Sequence, residues 1–182
     1  MQDRVQVLSV QKCLPKEKEF YEIKYLQDGK EESKVVAKSK DVVKILLYHK
    51  EKNAFVLTKQ FRPLLYINHP SKAFRIELCG GRVDKDLSLE QIAIEEVLEE
   101  TGYKVSQLQK ITTLYTSGRM TLYYAEIDES MRVNSGGGLD YEMIEVVYLP
   151  LEEAKAFMFD ETIPKRPALM FSFCWFFHMK DV

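Results

Sequence analysis

Along the chain, apolar residues recur first with a period of two and later at helical spacing. RVQVLSV (4–10) alternates and is β-branched, which predicts a strand. EFYEIKYL (19–26) and SKVVAKS (33–39) flank Asp28-Gly29, a tight hairpin signal. VVKILLYH (42–49) and AFVLTKQF (54–61) predict two strands around a polar turn, and AFRIEL (73–78) predicts a short one. A helix follows. Ser88 suits its N-cap, Gln91 completes a capping box, and Gly102 is placed to end it. KITTLYTS (110–117), TLYYAEI (121–127) and MIEVVYL (143–149) read as strands, the last stopped by Pro150. NSGGGLDY (134–141) predicts a flexible loop, while LEEAKAF (151–157) and PALMFSFCWFFHM (167–179) read as helices.

Many strands and about three helices in mixed order predict an α/β or α+β chain, with a mixed sheet between helices. Residues 1–40 form a hairpin-rich β unit that is too small to bury its own faces. It is expected to pack on the main domain, residues 41–182, or on a second subunit.

Composition narrows the class. With 46% apolar residues among 182, the chain is globular and long enough for a sizeable core. A net charge of -2 with interleaved signs argues against nucleic acid as the partner. Cys13, Cys79 and Cys174 are scattered, which suits a reducing compartment. His49, His69 and His178 lack metal-ligand spacing. The N-terminus is a poor signal peptide, and the most apolar stretch, 167–179, is too short for a membrane span. These features lead to the expectation of a cytoplasmic protein without a membrane partner.

The chemistry concentrates in GRVDKDLSLEQIAIEEVLEETGY (81–103). On a helix, Glu96, Glu99 and Glu100 fall within an arc of roughly 100°. Like charges at this spacing repel, so a solvated face and a cation cage are both open readings. Gly80-Gly81 just before the helix favours the cage, because glycine lets backbone approach a ligand closely. Hard oxygen donors of this kind select Mg²⁺ or Mn²⁺.

The segment resembles the Nudix box, G-x5-E-x7-R-E-U-x-E-E-x-G-U, where U is bulky and apolar. Gly81 opens it, and Glu96, Val97, Glu99, Glu100, Gly102 and Tyr103 fall at the right offsets. Leu87 stands where the first glutamate is expected and Glu95 where the arginine is expected. LTKQFRPLLY (57–66) and RIELCGGRVD (75–84) are similar to the ADP-ribose pyrophosphatase branch of the family. The segments 136–157 and 163–177 are more similar to its UDP-sugar (UDP-glucose) pyrophosphatases. Between LYTSG and TLYYAEI the chain is shorter than is usual in that branch.

The resemblance implies a Nudix α/β/α sandwich with a mixed sheet, plus a small N-terminal antiparallel β unit that commonly builds a homodimer. It implies hydrolysis of a nucleoside diphosphate linked to another moiety, with a nucleotide sugar or ADP-ribose as substrate. It assigns Glu96, Glu99, Glu100 and the Gly80 carbonyl to the metal. Glu142, with Asp140 beside it, is the expected base or water-orienting acid. Arg62 is the expected substrate contact, with Glu77 and Arg82 as further candidates, and Lys59 and Arg119 as weaker ones. The alternative is a non-catalytic Nudix-fold binding module, since two box positions have drifted.

Overall fold

The computed structural model describes residues 5–11, 19–139 and 142–180. The strands are β1 (Phe20–Gln27), β2 (Lys30–Ala37), β3 (Val42–His49), β4 (Ala54–Phe61), β5 (Phe74–Glu77), β6 (Gln109–Tyr115), β7 (Arg119–Ile127) and β8 (Ile144–Pro150). The helices are α1 (Pro63–Asn68), α2 (Leu89–Thr101), α3 (Leu151–Phe159) and α4 (Pro167–Lys180). A six-stranded sheet runs β5-β4-β3-β7-β6, with β8 paired to β4. β3 and β7 are parallel while the other pairs are antiparallel, so the sheet is mixed.

Helices cover both faces, as an α/β/α sandwich requires. On β3, successive side chains point to opposite faces. Val43, Ile45 and Leu47 pack with Ile92, Ala93 and Val97 of α2. Leu46 packs with Phe55, with Phe157 and Met158 of α3, and with Leu169, Phe173 and Phe176 of α4. A strand covered on both faces reads as a continuous apolar run. Lys44 interrupts that run. The apolar stretch at the C-terminus is therefore a core helix. Among the described residues no helix is long and apolar enough to cross a membrane.

Helix α2 begins and ends where its sequence says. Ser88 Oγ accepts the Gln91 N–H at 3.2 Å, and Gln91 Oε1 accepts the Ser88 N–H at 3.1 Å. Gly102 closes the helix in the left-handed region at φ 78°. Strands β1 and β2 form a separate two-stranded sheet. Asp28 and Gly29, at φ 50° and 75°, make its turn, as the Asp-Gly signal predicts. Phe20, Ile23, Leu26 and Val35 of this hairpin are exposed.

Two local expectations fail. Residues 5–10, inside the stretch expected as a first strand, carry no strand. No described strand pairs with them, and alternation without a partner ladder does not hold a strand. Helix α1 was not anticipated. It is one short segment with no side-chain cap, started by Pro63, and such elements leave little periodicity to read.

Phe55 anchors α4 to the second face. Its ring stacks on Phe173 with centroids 4.4 Å apart and meets Phe176 edge-on at 4.8 Å. Phe55→Ala is expected to cost about 3–5 kcal/mol of unfolding free energy, read as a lowered midpoint in urea denaturation.

Candidate active site

The acidic face of α2 meets the 78–82 segment, which runs beside β3. Ile45 N–H donates to Cys79 O at 2.8 Å and Val43 N–H to Gly81 O at 3.0 Å. Gly80 sits at φ +124°, and a Cβ there would lie 2.3 Å from Val43 O. A Cβ on Gly81 would lie 2.2 Å from Glu96 Oε1. Backbone and a positive φ require glycine at Gly80, whereas a side chain at Gly81 would push the Glu96 carboxylate aside. The approach lets the Gly80 N–H donate to Glu100 Oε2 at 2.8 Å, while Gln60 Nε2 donates to Oε1 at 3.0 Å.

The site is short of positive charge. Glu100 is 5% exposed. Burial raises its pKa, against the opposing pull of Lys44 and the Gly80 N–H. Burial, and then the charge of Glu100, push Glu96 up to about 7. Glu96 and Glu100 offer hard oxygen donors, and a divalent cation would offset their crowding. A divalent metal therefore fits these residues. Among the described residues no three His, Cys, Asp or Glu side chains converge as a complete cage. Further donors would have to be backbone, water or substrate oxygens, as is usual for Mg²⁺.

One of the two drifted box positions, Glu95, has a local explanation. Lys85, on the loop before α2, donates to Glu95 at 2.6 Å and to Glu99 at 3.5 Å. The loop and helix are thus braced by an ion pair of reversed polarity, with the cation on the loop. Leu87 is 40% exposed and takes no part in this pairing. Glu99 faces Lys85 from the same helix as Glu96.

The glycine run is seated on the end of α2. Gly137 and Gly138 N–H groups donate to the Glu100 and Glu99 carbonyls, each at 3.0 Å. A Cβ on Gly136 would lie 2.5 Å from Glu100 O. Beyond it, Glu142 is exposed and accepts the Leu139 N–H at 3.2 Å. Its charge contributes to the raised pKa of Glu96, so the two carboxylates are within electrostatic reach. Asp140 lies outside the described residues.

A second, positive centre adjoins the first. Arg62 grips Glu77 with both Nε and Nη2 at 2.8 Å. Arg75 Nε also donates to Glu77, and Arg166 Nε lies 3.7 Å from it. Burial would raise the Glu77 pKa, but Arg62, then Lys44 and Arg75, outweigh it and pull it down to about 2. The three arginines line a cavity of about 350 Å³ with Asn68 and His69. Burial and the neighbouring Arg75 charge lower the Arg166 pKa. One carboxylate thus holds three guanidiniums in a place suited to an anion.

Sequence reasoning singled out Arg62 and Glu77 but not Arg75, Arg166, Gln60 or Lys44. Arg75 was readable, since it precedes Glu77 by two on a strand and shares its face. Arg166 comes from across the fold, and no spacing announces it. Arg82 is exposed and lines a different cavity, of about 540 Å³, with Lys38 and Lys40. Lys59 pairs with Glu145 at 3.6 Å, and Arg119 with Asp41 at 2.6 Å.

The family model of the NUDIX domain matches residues 38–169. The chain belongs to the Nudix family. It is similar to the uridine diphosphate glucose pyrophosphatase NUDT14 of Mus musculus, at 33% identity over 192 aligned positions covering 86% of each chain. Its likeness to the same protein of Bos taurus is 34%, covering 84% of this chain and 85% of the relative. It is 41% identical to the GDP-mannose pyrophosphatase of Pectobacterium atrosepticum over 135 positions, 71% of this chain and 69% of that one. With Glu96, Glu99 and Glu100 at their Nudix-box positions and relatives named as pyrophosphatases, the chain is a Nudix hydrolase and the binding-module alternative falls away.

Glu77 generates a pH prediction. Its folded-state pKa is depressed from 4.5 to about 2. Its stabilisation is therefore fully present above pH 4.5 and is lost as pH falls through 2. The loss amounts to about 3 kcal/mol, at 1.36 kcal/mol per unit. Chemical denaturation followed from pH 6 to pH 2 should show this step in the wild type and lack it in Glu77→Gln.

Proposed function

We propose that this Nudix hydrolase cleaves the pyrophosphate bond of a nucleoside diphosphate sugar, releasing a nucleoside monophosphate and a sugar phosphate. The observation that carries the reading is the junction of two centres. A carboxylate pair short of positive charge, buried Glu100 and half-buried Glu96, adjoins an arginine-lined cavity with charge to spare. Gln60 reaches Glu100 from the same strand whose next-but-one residue, Arg62, grips Glu77. The named activities of the relatives on UDP-glucose and GDP-mannose support a sugar nucleotide.

Each part of the chain then has work. Glu96, Glu100 and the Gly80 carbonyl would hold Mg²⁺ or Mn²⁺, with Glu99 as a further donor. When bound, the ion neutralises pyrophosphate charge and makes water a better nucleophile. Arg62, Arg75 and Arg166 take the anionic part of the substrate and fix its orientation. Glu142 accepts a proton from the attacking water, or orients it. The water oxygen bonds to one phosphorus, and the bridging oxygen leaves with the other phosphate. Arg82, beside the other cavity, has no place in this assignment.

The test is a panel of UDP-glucose, GDP-mannose and ADP-ribose assayed with and without Mg²⁺, with both products identified. Metal-dependent release of a nucleoside monophosphate and a sugar phosphate is expected. Failure with every sugar nucleotide would overturn the reading.

Glu142→Gln is expected to lower kcat by about 10²–10⁴ with little change in KM. Raising the pH should partly restore the rate, because hydroxide needs no base. An unchanged kcat with a much greater metal requirement would make Glu142 a ligand.

We also propose a homodimer built through the N-terminal hairpin. Its two strands have no described cover on either face, and Phe20, Ile23, Leu26 and Val35 are exposed on them. A two-stranded sheet alone is marginal in water, so a second copy is the natural cover. Light scattering should give a dimer at micromolar concentration, and Ile23→Lys with Leu26→Lys should shift it to monomer.

A further inference from the structure

Lys44 is the polar residue that interrupts the apolar run of β3. It lies on the strand that the Gly80 backbone crosses, with its Cα 3.1 Å from where a Gly80 Cβ would sit. Its side chain runs over this glycine. The ammonium donates to the Gly80 carbonyl and to the Leu78 carbonyl, the latter at 3.3 Å. Among the described residues it makes no ion pair with a carboxylate. Yet its charge acts on Glu77, Glu96, Glu100 and the buried Cys79 thiol together. A cation placed on a carbonyl between four acidic groups occupies the position of a shared counter-ion.

We propose that Lys44 is a tethered counter-ion for the Nudix metal site. Its ammonium holds the Gly80 carbonyl and offsets the Glu96–Glu100 repulsion in the metal-free protein, and an arriving divalent cation displaces it. This rests on the metal reading given above and goes beyond it by naming what the metal must replace. The Gly80 carbonyl cannot serve an ammonium and a metal at the same point. Lysine suits the exchange, because its ammonium is a compact charge on a flexible four-carbon stem. Lys44 is only half-buried, so the stem can stay on the sheet while the head moves to water.

Two consequences distinguish a displaced ammonium from a structural one. Removing the competing charge should tighten cation binding. Binding the cation should release the amine to solvent. The experiment measures Mg²⁺ binding by calorimetry to wild type and Lys44→Met, and labels wild-type lysines by reductive methylation with and without Mg²⁺. The variant is expected to bind Mg²⁺ about tenfold more tightly or better, since a unit charge within a few ångströms is removed. Lys44 should be protected in the metal-free protein and modified several-fold faster with Mg²⁺, as read by mass spectrometry of its peptide. Equal affinities, or equal labelling of Lys44 in a wild type that binds Mg²⁺, would overturn the inference alone. Absence of Mg²⁺ and Mn²⁺ binding by both proteins would overturn the metal reading and this inference with it. The labelling arm uses wild type only, so it decides the question even where Lys44→Met does not fold.

Discussion

The acidic face of α2 can sit against the sheet because Gly80 and Gly81 carry no side chains. A single methyl group at either would collide with the β3 backbone or with the Glu96 carboxylate. The contact is also polar, since Gly80 donates its N–H to Glu100. Helix position, carboxylate burial and carbonyl direction are therefore fixed by one short backbone passage. The core on that face, Val43 and Ile45 against Ile92 and Val97, sets the same distance from the other side. Because packing leaves little slack in a protein interior, neither can move without the other.

This closeness has an electrostatic result. Burial disfavours charge on Glu96 and Glu100, and the Glu100 carboxylate disfavours it further on Glu96. A strand away the balance is reversed, with three guanidiniums around Glu77. The two centres are not isolated from one another. Lys44 is felt in both, and β4 contributes Gln60 to one while Arg62, the residue after its end, belongs to the other. A substrate carrying two linked phosphates spans such a pair naturally, with negative charge in reach of the arginines and of a cation at the acids.

The sequence made the regular part of this legible. β3, β4 and α2 follow from short apolar runs, from a capping box and from a glycine stop, because those signals are local. The carboxylates of the site were readable for the same reason, being spaced on one helix. What was not readable depends on contacts between distant segments. Arg166 reaches Glu77 from the turn before α4, and Lys44 reaches the Gly80 carbonyl from the neighbouring strand. The triple glycine was readable as a loop, but its seat on the carbonyls that end α2 was not. Residues 5–10 alternate like a strand and lack a described partner to make one.

The reversed ion pair between Lys85 and Glu95 bears on how this protein can be engineered. Restoring residues that a family most often carries is a common route to a more stable variant. Here the restored residue would be arginine at position 95, directly facing Lys85. It would set two cations against each other and draw the lysine away from Glu99. The family's own consensus is thus the wrong template at this point, unless position 85 is changed in the same step. The two sites form one unit of inheritance, and their effects will not add when altered singly.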